Sequence, residues 1–65
     1  MGYKVRLGEY VETVDGVNMH MAEVYADTAD DIPAPSKIPQ AAVGSNCIVM
    51  DTKDVLYLNT ERAWV

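Results

Sequence analysis

The chain has 65 residues, ten acidic against five basic side chains and a formal net charge of -5. Nucleic-acid binders use Lys and Arg to displace counterions from phosphates, so this charge argues against DNA or RNA as a partner. No apolar run approaches the roughly 20 residues of a membrane span, and no charged start followed by an apolar core marks a secretory signal, so no membrane partner is expected.

A single domain over residues 1–65 buries only roughly 60% of its unfolded surface, and domains this small usually recover stability from disulfides, a metal or oligomerisation. Cys47 is the sole cysteine and His20 the sole histidine. An internal disulfide is impossible, and a zinc site wants about four Cys or His ligands in paired spacing. Neither metal nor cofactor is expected. Self-association, or docking onto a larger assembly, remains for a chain that is 49% hydrophobic.

Residues 1–24 form the first part of the domain. Tyr3 and Val5 alternate with Lys4 and Arg6, which predicts a short strand over residues 1–6 whose charges form its wet face. Val11 and Thr13, then Val17, Met19 and Met21, alternate around Asp15-Gly16, a strong short hairpin signal. Val17, Met21, Val24 and Tyr25 also fall at helical spacing, and Met, Ala and Glu favour helix. The hairpin is preferred. It sets Val17, Met19 and Met21 on one face, as core or as a contact for another chain, with Asn18 and His20 on the other.

Residues 25–43 change character. Asp27 or Thr28 caps one short helical turn, with Asp30 and Asp31 at its start, before Pro33 stops it. Pro33, Pro35 and Pro39 then space out an extended connection that packs on one end of the sheet through Ile32, Ile38 and Val43.

Residues 44–65 carry two apolar runs, Cys47 to Met50 and Val55 to Leu58, and a final apolar step at Ala63-Trp64-Val65. Polar turn-formers separate them, which predicts a small antiparallel meander. Asp51 and Asp54 are expected to hydrogen-bond the backbone of the first turn. Both faces of these strands are apolar, so the sheet needs two covers where the chain supplies one. The fold class expected is all-β, with an N-terminal hairpin, one helical turn and a C-terminal meander.

Chemistry is sparse. His20 and Cys47 lack a third orienting residue for a thiolate dyad, and Asp27, Asp30 and Asp31 lack the alternating pattern of a calcium loop. No phosphate loop or nucleophile elbow is present, so no catalytic residue is assigned. Tyr57 and Trp64 could stack on sugar rings, a reading as a glycan-binding module. The residues favoured for a protein interface are Met19, Met21, Tyr57 and Trp64.

The run Tyr25-Ala26-Asp27-Thr28 leading into Asp31-Ile32-Pro33, then Gly44-Ser45 with an apolar strand, then Val55-Leu56-Tyr57-Leu58-Asn59 ending in Ala63-Trp64-Val65, resembles a module of small tailed-bacteriophage virion proteins. The resemblance covers residues 25–65. It implies a non-enzymatic structural role: a subunit attached to a head or tail, repeated as a homo-oligomer and contacting other phage structural proteins. The chain departs from longer fibre proteins in lacking a stalk or repeat, which favours a compact decoration or accessory subunit located in the virion. The alternative is a small cytosolic adaptor of a mobile element.

Overall fold

The computed structural model describes residues 2–65. It holds four strands, β1 (Tyr3–Val14), β2 (Val17–Ala26), β3 (Asn46–Val49) and β4 (Asp54–Tyr57), in one sheet of order β1-β2-β3-β4. The protein is β-rich, as its alternating patterns predict.

The two N-terminal strands form the hairpin expected at Asp15-Gly16, with Val14 opposite Val17. Asp15 at φ 51° and Gly16 at φ 82° place both turn residues in the left-handed region. That turn matches the right-handed twist of the flanking strands, and Asp-Gly tolerates it at little cost. The strand predicted for residues 1–6 runs instead to Val14, with Met1 outside the described residues. Two register shifts, between Leu7 and Tyr10 and between Tyr10 and Glu12, break the alternation that would have announced its length. The helical alternative for Val17 to Tyr25 is not realised.

β3 and β4 form the C-terminal antiparallel hairpin, and the meander's last step is an antiparallel bridge between Leu58 and Trp64. Tyr57 and Val65 exchange both backbone hydrogen bonds, at 2.8 and 2.9 Å, so the tail is tied down. The two hairpins join through a parallel pairing of β2 with β3, which makes the sheet mixed. Parallel neighbours require a long crossover, and residues 27–45 supply it.

That crossover contains two 3₁₀ turns rather than the one expected, Ala29–Asp31 and Pro35–Lys37. Thr28 caps the first, and the Asp31 carboxylate accepts from the Thr28 hydroxyl at 3.0 Å and from its amide at 3.2 Å. Further along, the crossover lies against β2: the His20 amide donates to Gln40 O and the Ala42 amide to His20 O, both at 2.8 Å. Ile38, Ala41 and Ala42 are buried there, with Ile32 packed at the margin. Val43, expected among them, is exposed.

The core lies between this crossover and one face of the sheet. It gathers Ala22, Val24, Ala26, Cys47, Leu58, Ile38 and Ala41, with Val5, Leu56 and Trp64 packed around it. Alanine lets backbones approach closely but removes little apolar area from water. Leu58 is the largest fully buried side chain, so the core is thin.

Candidate protein interface

Pairing register decides which side chains share the opposite face. Lys4, Tyr25, Ile48 and Val55 form one row straight across all four strands, and Arg6, Glu23, Asn46 and Tyr57 form the next. Side chains alternate along a strand, so both rows point away from the face carrying Val24 and Cys47. No segment of the described chain covers them. Val55 and Tyr57 are exposed at 45% and 55%, and Met50 just beyond β3 at 51%. Met21, on the same series of β2 as Glu23 and Tyr25, is 38% exposed. The result is an open face whose centre is Tyr25, Ile48, Val55 and Tyr57. The charges Lys4, Arg6 and Glu23 stand toward its β1 side. Asn46 Oδ1, within this face, is shielded from solvent yet has no hydrogen-bond partner.

The structure separates the residues favoured by sequence. Met21 and Tyr57 belong to the open face. Met19 and Val17 are half-buried, lining a shallow cleft with Pro35 and Pro39. The core is instead built from the alternate series of β2, Ala22, Val24 and Ala26. Trp64 belongs to the covered side. It packs against the core, and its indole Nε1 donates to Pro33 O at 2.8 Å. Because Trp64 pairs with the buried Leu58, next along the strand from Tyr57, the two rings lie on opposite sides of the sheet and share no stacking platform.

No family model matches this chain, and comparison with curated proteins and with solved structures finds no significant match.

The remaining chemical candidates are scattered. His20 is half-buried; its Nδ1 lies 3.1 Å from Gly8 O, and since a carbonyl only accepts, that nitrogen carries hydrogen. Its ring meets Tyr10 edge-on at 5.8 Å. Cys47 pairs with Val24 and is fully buried, and burial pushes its thiol above the ordinary range. A nucleophile needs the opposite shift. Among the described residues no three His, Cys, Asp or Glu side chains gather as metal ligands would. In the β3–β4 turn, Thr52 rather than Asp51 holds the partner: its hydroxyl donates to the Asp54 carboxylate at 2.9 Å.

Arg62 is the residue that sequence reasoning missed. Its backbone is left-handed, at φ 62°, and its guanidinium reaches into the crossover to donate to Ala41 O, to Ile38 O at 3.4 Å and to Pro35 O at 3.5 Å. A fork of donors on one cation fixes three carbonyls that the sheet does not use. The open face depends on this clamp indirectly, since it seats the crossover that covers the other side of the sheet.

Proposed function

We propose that this chain is a non-enzymatic structural subunit that docks on other proteins through its open sheet face, and that its setting is the virion of a tailed bacteriophage. It is made in the bacterial host cytoplasm and assembles there as a head-decoration or fibre-like subunit. The observation that carries the reading is the sheet with one covered face and one uncovered face centred on Tyr25, Ile48, Val55 and Tyr57. Exposed apolar area of this kind, rimmed by charge, is characteristic of surfaces that are buried in a complex. The thin, alanine-rich core adds to it, because a small domain with little buried area gains stability from association. The virion setting rests on the resemblance of residues 25–65.

Quantitative mass spectrometry of gradient-purified particles from the phage or prophage that encodes the chain tests the setting. A copy ratio near that of the major capsid protein places it on the head, and a much smaller ratio places it on the tail or connector. Absence from particles, with a stoichiometric complex in the lysate, overturns the virion setting in favour of a cytosolic adaptor.

A further inference from the structure

We infer that β1 is a self-association edge, and that two copies of this chain join β1 to β1, antiparallel, about a two-fold axis close to Gly8. The two sheets then continue into one, and the two open faces lie side by side.

The first ground is geometric. β1 ends the sheet, and no described residue pairs with its outer edge. It is 12 residues long and exposed everywhere except at Val5. The other end of the sheet is partly shielded, since the tail pairs with Tyr57 and Leu58. A long unpaired strand without proline offers a row of free amides and carbonyls to another strand.

Charge selects the occupant and the direction. Lys4 and Arg6 stand in the first half of β1, Glu9 and Glu12 in the second. A parallel pairing of two copies sets like on like. An antiparallel pairing centred on Val5 sets Lys4 against Arg6. Centred on Gly8, it sets Lys4 opposite Glu12 and brings Arg6 beside Glu9, twice over by symmetry. The two register shifts in β1 cancel, so Lys4 and Glu12 share a face: Lys4 pairs with Tyr25 and Glu12 with Met19, both on one series of β2. Opposite charges across strands stabilise the pair, and like charges oppose it.

Bulges often turn an edge away from partners. Here the first one falls at Gly8 and Glu9, on the axis, where Gly8 lies close against its own β2: a Cβ there would meet Met21 O at 3.2 Å. The core is also unfinished at this edge. A groove of about 290 Å³ opens beside Val5 and Leu7, against Ile38, Pro39 and Ala41. The same register places Val11 of the second copy opposite Val5, at the mouth of that groove.

The pairing deepens the assembly reading by naming a second copy as one partner, and it forms from the purified chain without a virion. Sedimentation velocity over a concentration series reads it. The wild type is expected to dimerise, less so at high salt. Lys4→Glu with Arg6→Glu, and Glu9→Lys with Glu12→Lys, should each be monomeric, and mixing the two variants should restore a dimer. Tyr57→Lys should leave the dimer intact. A wild-type monomer at all concentrations, or a dimer indifferent to charge reversal, overturns the edge pairing. A dimer lost in Tyr57→Lys but kept on charge reversal overturns it too, and assigns the contact to the open face. If the reversed variants misfold by circular dichroism, mixed Lys4→Cys and Glu12→Cys chains decide. A mixed disulfide absent from either variant alone supports the register, and none forming under mild oxidation contradicts it.

Discussion

The hydroxyl of Ser45 accepts the amide hydrogen of Ala22 at 2.9 Å and donates its own to Ala42 O at 2.7 Å, in a fully buried position. One side chain thus joins the central strand, the crossover and the entry to β3, the joint where two antiparallel hairpins become one mixed sheet. Ser45→Ala leaves the buried Ala22 amide without this acceptor, while Ala42 O keeps the Ser45 backbone amide at 3.1 Å. The expected cost is about 1–3 kcal/mol, which for a domain of this size lowers Tm by roughly 4–8 °C per kcal/mol. Thermal and urea unfolding measure it, and an unchanged Tm would remove Ser45 from the joint.

Trp64 is a pin on the covered side. Trp64→Phe keeps most of the packing and deletes the hydrogen bond to the buried Pro33, at a cost of about 1 kcal/mol. Trp64→Ala also loses the ring, for about 2 kcal/mol or more in a half-buried site. Unfolding of both variants checks the order, with wild type above Phe and Phe above Ala. Equal Tm values for all three would mean that the ring is not seated on the core.

Cys47 should be inert in the folded chain. Burial holds its thiol above the ordinary value of 9.0, so a thiol reagent at pH 8 should react only after urea unfolds the protein. The linkage has a definite sign. The folded thiol keeps its proton longer than the unfolded one, so its contribution is fully present below the unfolded pKa and is lost as pH rises through the folded pKa. Wild-type stability should therefore fall faster above pH 9.0 than that of Cys47→Ala, which has no thiol to titrate. Parallel pH profiles for the two would contradict the burial argument.

Much of this fold is legible locally. Asp15-Gly16 marks its hairpin because so few residues tolerate two left-handed positions in succession. Thr28 before Asp31, and prolines after, mark a short turn and its end. The doubly apolar strands Cys47 to Met50 and Val55 to Leu58 announce that one face would lack a cover. The rest depends on tertiary choices. Two bulges conceal the length of β1 by interrupting its alternation. Met19 and Met21 alternate as a core stripe would, yet Ala22, Val24 and Ala26 are chosen because small side chains admit the crossover at Ala41 and Ala42. The parallel joint leaves no local signature, since it is made by Ser45 and by pairing across the chain. Arg62 looks like an ordinary turn cation until the crossover carbonyls are in place around it.

The open face as the docking surface is the central claim, and a matched pair of particles tests it. Particles are assembled with the wild-type chain or with Val55→Lys, an exposed substitution that should leave Tm unchanged, and the copy number of each chain in gradient-purified particles is measured by quantitative mass spectrometry. The account predicts that the wild type is retained and that Val55→Lys is depleted at least tenfold, the ratio that 1.4 kcal/mol of lost binding produces. Equal incorporation of the two chains would contradict docking through this face, whatever the particle they assemble on.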